Sequence, residues 1–496
     1  MCKEIIHNYL WLLRICRFMD NRKFCHQLYR ETTFMKKNNI YQSLSFGAVS
    51  LAFILLLSAA AVQAETISVA AFTDGAPSCN NLNQADNNLR SAICYVNTKA
   101  GDTMTNPFTG ATFTGHIIEL PAGTYNLTRP GSGEDANSSG DLDISAAGKT
   151  VMIIGQGAGA IIDAGDIDRI FNILSGTVIL NNLTIRNGTA NWGGGIQNLS
   201  ALTITNCTIT GNTATDKGGG LHNSLGTMTI NNSIIESNMT SGSMTYGGGI
   251  SIYDGVVTLS NSTVRNNTAQ NSGGGIYMYN TAAQLNVTQS TISGNFANGS
   301  GTNNGLGGGI FQTVGTTILT NSTVSGNTSR LGGGIFLQAG TLNLRHATVA
   351  SNTATLDAGG LRVYDPYGPT ATSTNSIIAS NIDNTANDYP DIQGTLTSSG
   401  YNLISQSYST GNGTDKVGVL AYLEALASNG GSTYTHALQS MAVARPIQPI
   451  SAEPPVRKTR VATLVRLKLR LWPRPRRLPR QIPTPRPRRH PLCHQS

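Results

Sequence analysis

One short pattern, repeated, constrains this chain more than anything else in it. The run GGGI or a close variant begins at Gly193, Gly218, Gly247, Gly273, Gly307 and Gly332, with a degenerate AGGL at Ala358, at spacings of 25, 29, 26, 34, 25 and 26 residues. A second motif follows each copy: NCTITGN from Asn206, NSIIESN from Asn232, NSTVRNN from Asn261, QSTISGN from Gln289, NSTVSGN from Asn321, HATVASN from His346 and NSIIASN from Asn375. Every copy ends in asparagine, at Asn212, Asn238, Asn267, Asn295, Asn327, Asn352 and Asn381. Between the motifs lie alternating runs such as ALTIT, TMTIN and VVTLS, which read as strands, with Gly and Asn marking turns. No segment of the repeats shows a 3.6-residue apolar period. Strand-only units of about 27 residues cannot each close a core and must stack on their neighbours. The reading is an all-β chain built as a parallel β-helix, a solenoid with about 27 residues per coil.

Stacking places equivalent residues in columns about 4.8 Å apart. The terminal asparagines then form a structural ladder that bonds from coil to coil. Ile196, Leu221, Ile250, Ile276, Ile310, Ile335 and Leu361 form an inward apolar column. Strand alternation turns the next residues outward: Gln197, His222, Ser251, Tyr277, Phe311, Phe336 and Arg362. Two positions on stand Tyr253, Tyr279 and Tyr364, and Trp192 and Tyr246 directly precede their glycine triplets. In a chain with only 6% aromatic residues, eight rings beside one face make a candidate ligand-binding surface for a polysaccharide or a cell-surface partner. The alternative use of these rings is to cover neighbouring turns.

The formal charge of +8 would favour nucleic acid if it were spread over the body. It is not: residues 1–64, 65–440 and 441–496 carry net charges of +5, −10 and +13. An acidic body argues against a nucleic-acid partner. Residues 35–64 read as a secretory signal peptide, with a basic head at MKKNN, an apolar stretch from Phe46 to Ala61 and cleavage expected after Ala64. Residues 1–34 precede that head and are expected to be an upstream mis-start. No membrane span is expected in the mature chain. Export to an oxidising compartment makes a Cys79–Cys94 disulfide the expectation, while Cys207 reads as a small buried filler. Residues 65–150 are assigned to an N-terminal cap and first coils, 151–395 to the repeats and 396–440 to a C-terminal cap. From Met441 onward there are 11 prolines and 14 basic residues with no Gly, Asn or Asp, a tail expected to be frameshifted or disordered.

The paired GGGI and [IV]-x-x-N motifs resemble the glycine-rich and F-x-x-N repeats of polymorphic outer membrane proteins and related bacterial right-handed β-helix surface proteins. Ile209, Ile235, Val264, Ile292, Val324, Val349 and Ile378 stand where those repeats have Phe. NNLRSAICYVN from Asn87 resembles the CSLREAI segment near the start of such proteins, without its leading Cys and its Glu, and LASNGGSTYTHAL from Leu426 resembles the start of a C-terminal surface-anchoring module. The resemblance implies a right-handed helix, export and a place on the cell surface or outer membrane.

Secreted β-helices also include polysaccharide lyases and glycoside hydrolases, which need clustered carboxylates with a base or paired carboxylates on one face. The repeats offer only Glu236 beside Arg265, which a cross-coil salt bridge explains. Aspartates gather at Asp163, Asp166 and Asp168 and at Asp383, Asp388 and Asp391, where they serve turns or at most a weak Ca2+ site. His116, His222, His346 and His436 show no partner in the sequence. The sequence implies no cofactor and no catalytic residue. It points to adhesion, display or binding, with a polysaccharide-cleaving enzyme as the alternative.

Overall fold

The computed structural model describes residues 66–439 apart from 80–86, 132, 302–303, 386–388 and 411. The expected signal peptide, the segment before it and the basic tail lie outside the described residues. Parallel strands stack into a 21-stranded, a 12-stranded and an 8-stranded sheet. One coil shows the plan. Ile250–Ile252 and Val256–Ser260 lie in the large sheet, Thr263–Arg265 in the 12-stranded sheet and Thr268–Ala269 in the 8-stranded sheet. Each strand pairs in parallel register with its equivalent one coil away, Ile250 with Leu221 and Ile276, and Val264 with Ile235 and Ile292. This is the parallel β-helix expected from the repeat.

Each letter of the second motif has a physical task. The first residue turns the corner in the left-handed region, with φ between 49° and 54° at Asn206, Asn232, Asn261, Gln289, Asn321, His346 and Asn375. Asparagine tolerates that conformation best among residues with a side chain. The second residue is a buried serine in five of the seven copies, with Cys207 and Ala347 in the other two: the amide of Ser233 donates to Ser262 Oγ, that of Ser262 to Ser290 Oγ and that of Ser290 to Ser322 Oγ. The fourth, Ile or Val, is fully buried in every coil. The sixth is again left-handed, as at Gly211, Ser237, Asn266, Gly294, Gly326, Ser351 and Ser380. The seventh is the ladder asparagine.

Side-chain bonds of 2.9 to 3.0 Å run from Asn212 through Asn238, Asn267, Asn295, Asn327 and Asn352 to Asn381. Each Nδ2 also donates to a carbonyl of the coil before, and each Oδ1 also accepts a backbone amide, as Asn267 does from Asn238. All four hydrogen-bonding positions of a buried amide are thus filled. The ladder ends on Asp391, whose Oδ1 accepts both from the Asn381 side chain and from its backbone. A carboxylate suits that end because it needs no further acceptor.

The triplet Gly247–Gly249 shows why glycine is required before each inward Ile. Gly247 has φ +71°, a Cβ on Gly248 would meet the Gly274 and Thr268 carbonyl oxygens at 2.5 Å, and one on Gly249 would meet Asn267 Nδ2 at 2.9 Å.

The first end of the solenoid is closed by a helix, Leu89–Thr98, N-capped by Asn88, whose side chain accepts from the Ser91 amide. Its Leu89, Ala92, Ile93 and Val96 join the main core. Cys79 and Cys94 are joined in a disulfide that ties this helix to the segment that precedes it. Buried Arg90 pairs with Asp74 at 2.6 Å and donates to the carbonyls of Ser139, Gly140 and Asp141. The alternating pattern of the repeats gave no sign of this helix. At the other end an antiparallel hairpin, Leu423–Ala427 with Thr435–Leu438, folds back onto the 12-stranded sheet. There Thr291 Oγ1 donates to the Tyr434 carbonyl, Thr433 Oγ1 to the Gln289 carbonyl, and Ser325 Oγ meets His436 Nε2 at 2.8 Å. Among the described residues no helix is long and apolar enough to cross a membrane.

Candidate functional site

The outward side of the GGGI strands carries the rings. Tyr246 stacks on Tyr277 at 4.6 Å, and contacts continue from Tyr277 to Phe311 at 5.5 Å, from Phe311 to Phe336 at 5.6 Å and from Phe336 to Tyr364 at 6.2 Å. Register accounts for the row, because Tyr277, Phe311, Phe336 and Arg362 are successive partners in parallel strands. The expectation that the row is open to solvent needs correction. Tyr277, Phe311 and Phe336 are only 3%, 4% and 4% exposed. They form a second apolar cluster with Leu306, against which Tyr246, Leu331 and Tyr364 pack. The covering residues arrive from the segments that precede the glycine triplets, which the strand alternation alone does not place.

The rim of this band is open. Trp192, Tyr253 and Tyr279 are 45%, 40% and 48% exposed, and Tyr253 stacks on Tyr279 at 5.4 Å. Tyr367 adds an exposed ring beside Tyr364, at 5.4 Å, from a short 3-10 turn, Asp365–Tyr367, that was not anticipated. Trp192 is fixed in place: its Nε1 donates to Asp216 Oδ2 at 2.8 Å, and both Asp216 oxygens accept from Lys217 Nζ.

Polar groups flank the band at its ends. On the early side, His222 is buried beneath Trp192, with ring centroids 5.9 Å apart, and burial followed by the nearby Lys217 and Arg169 charges pushes its imidazole down to about 4. Further along the same column Asn172 donates to Asp143 Oδ1 at 3.0 Å. Asp143 is fully buried; burial and then the Asp141 charge push it up to about 7, while Asp141 itself is pushed up to about 6 by burial despite its 2.9 Å pair with Arg169. The sequence reading passed over these two carboxylates. Their signal was the alternation D-L-D, which puts both on one side of a strand with Leu142 in the core. On the late side, Arg362 faces Asp357 at 3.6 Å and lies 5.8 Å from the Tyr364 ring centroid.

The expected aspartate groups do not come together. Asp163 accepts from Arg186 and Asn187, Asp168 is buried with its Oδ1 on the Arg169 amide, and Asp166 holds a turn at φ 62°. Asp391 is committed to the asparagine ladder, Asp383 accepts from Thr385, and Asp388 lies outside the described residues. Among the described residues no three His, Cys, Asp or Glu side chains are grouped to hold a metal ion. Arg265 and Glu236 are register partners and form a 2.7 Å ion pair across coils. Cys207 is buried in the position that serine holds in five of the other six copies of the motif, and burial pushes its thiol up to about 12. His436, expected to lack a partner, is held between Ser325 and the Glu424 carbonyl.

The family described as right handed beta helix region matches residues 153–305. No curated protein matches the chain. Among solved structures, the crystal structure of pectate lyase Pel9A is similar with a TM-score of 0.42 and 17% identity, over 68% of this chain and 78% of that one. That likeness is too distant to carry chemistry from one chain to the other. The coils and the matched region agree on one statement: this chain folds as a right-handed parallel β-helix.

Proposed function

We propose that this is an exported, surface-displayed binding protein whose β-helix presents a rigid aromatic rim to an extended saccharide. The observation that carries the reading is the exposed Tyr253–Tyr279 stack, supported from beneath by buried Tyr277. Trp192 stands two coils before Tyr253, so the rim spans roughly 10–15 Å along the axis. Flat rings held in place give contact area to sugar faces at little entropic cost. A cleaving site is not favoured, because Asp141 and Asp143 are buried beneath the segment that carries Glu134 and Asn137 and offer no surface to a chain of sugars. The test is a glycan array followed by affinity electrophoresis in immobilised polysaccharide, comparing the wild type with Tyr253→Ser/Tyr279→Ser. Binding that the double variant loses at unchanged melting temperature supports the reading. Equal retardation of both, or release of reducing ends by the wild type, would overturn it.

A further inference from the structure

The turns that carry the open tyrosines also carry polar groups that the aromatic stack leaves unused. Tyr253–Asp254 and Tyr279–Asn280 occupy the same corner of adjacent coils, directly after the register partners Ile252 and Met278. Each exposed ring is therefore followed by a short polar side chain, and both Asp254 and Asn280 are only half-buried. The rings stack at 5.4 Å, and one residue further along each turn Asn280 Nδ2 donates to Asp254 Oδ2 at 3.1 Å. The two contacts link the same pair of coils. The corner is also fixed by its own bonds: Asp254 Oδ1 accepts from the Gly255 amide at 2.6 Å, the Asn280 amide donates to the Tyr253 carbonyl at 3.1 Å, and Thr313 Oγ1 on the following coil donates to the Tyr279 carbonyl at 2.9 Å. Exposed Thr281 and Gln284 extend this polar edge without adding charge.

We propose that Asp254 and Asn280 form the polar subsite of the saccharide-binding rim, taking two neighbouring hydroxyls of a neutral sugar residue that packs on Tyr253 and Tyr279. The proposal rests on the saccharide reading above and adds to it the residues that select the sugar. A carboxylate has about four acceptor positions, of which Gly255 and Asn280 use two, and the Asn280 side chain has a second N–H beyond the one given to Asp254. The pair thus keeps about two acceptors and one donor for a ligand. Neighbouring sugar hydroxyls both donate and accept, so they match that set, and the partial exposure of both side chains leaves them within reach from solvent. Hydrogen bonds to a carboxylate are about twice as strong as those between neutral groups, which makes Asp254 the stronger half of the subsite. A sugar bearing its own carboxylate would be repelled by Asp254, so uronic acid polymers should bind less well than neutral ones.

The experiment is calorimetric titration of wild type, Asp254→Asn, Asn280→Ala and Tyr253→Ser/Tyr279→Ser with neutral gluco-, manno-, galacto- and xylo-oligosaccharides and with oligogalacturonate. Asp254→Asn should weaken the preferred neutral oligosaccharide about tenfold and leave oligogalacturonate unchanged or tighter, because it removes the charge and keeps an oxygen for the Gly255 amide. Asn280→Ala leaves that turn bond in place and should weaken the neutral oligosaccharide about fivefold at an unchanged melting temperature. Loss of neutral and acidic oligosaccharides by the same factor in Asp254→Asn would mark the residue as a turn former and overturn the subsite. Wild-type affinity in both single variants, together with loss in the tyrosine variant, would overturn the subsite and leave the rim reading standing. Tighter binding of oligogalacturonate than of every neutral sugar by the wild type would also overturn the subsite. No binding of any sugar to the wild type would overturn the rim reading and the subsite with it.

Discussion

At the scale of single residues, the second motif works as a list of backbone and hydrogen-bond duties, and substitutions should act accordingly. Asn295 holds Asn327 Oδ1 and the Val264 carbonyl with its Nδ2, and its Oδ1 takes the Asn267 side chain and backbone amide. Asn295→Leu strands those groups inside the core, so it should cost on the order of 3 kcal/mol or more, read as a lower urea midpoint. Cys207→Ser should behave in the opposite way. Ser233 Oγ donates to the Asn231 carbonyl at 2.7 Å, while Cys207 Sγ makes the equivalent contact with Thr205 at 3.2 Å. Serine at 207 therefore restores the column, and the melting temperature should stay level or rise; a fall of several degrees would show that sulfur packing outweighs the hydroxyl. The Asn ladder and the inward Ile and Val columns were legible in the sequence because they obey one register. The Asn198 to Asn223 bond at 2.7 Å, buried at another corner, was not legible because its column soon gives way to other residues, with Ile252 next in register.

At the scale of elements, legibility ended where segments leave the repeat. The strands and their faces followed from period-two alternation. The helix Leu89–Thr98 was missed although Asn88 precedes it as a cap and Leu89, Ala92, Ile93 and Val96 mark one side. The hairpin at 423–438 returns across the 12-stranded sheet to residues more than a hundred positions earlier, and no local pattern encodes such a return. The same limit explains the covered rings, since Leu306 reaches Phe311 from the longest inter-triplet segment. Tyr277 and Phe311 therefore act as packing. Tyr277→Ser/Phe311→Ser should lower stability by about 3 kcal/mol or more per ring, seen as a large fall in melting temperature. Little change would mean that the cluster of Leu306, Phe311 and Phe336 contributes less than its burial implies. The disulfide closes a loop of 15 residues, for which chain entropy gives about 3 kcal/mol. Reduction should loosen the helix first, measured as faster amide exchange at Ile93 and Val96 than in the central coils.

For the whole molecule, stability in a solenoid passes from coil to coil, so the closed first end governs fraying of everything behind it. That end holds an unusual electrostatic load. Asp141 and Asp143 share one strand side with Glu134, Asp135 and Asp168 nearby, and Arg169 is paired to Asp141. Two carboxyls ordinarily near 3.9 are pushed up to about 6 and about 7, with burial the first cause at both. Between about pH 4 and pH 7 the folded chain holds protons that the unfolded chain has released. Stability from this pair is thus fully present only below about pH 4 and is lost progressively as pH rises to the folded values, with an upper limit on the order of 4 kcal/mol for Asp143. His222 works against this trend. Its folded value near 4 lies below the usual 6.5, so it removes stability as pH falls through that interval. Asp143→Asn separates the two, because its side chain is neutral throughout and can still pair with Asn172. Urea midpoints measured from pH 5 to pH 8 should decline in the wild type and decline much less in Asp143→Asn, whose advantage should be largest at pH 8. A variant curve parallel to the wild type would show that Asp143 is ionised at little cost in the folded chain, and the closed end would then owe its stability to the helix, the disulfide and the Arg90–Asp74 pair alone.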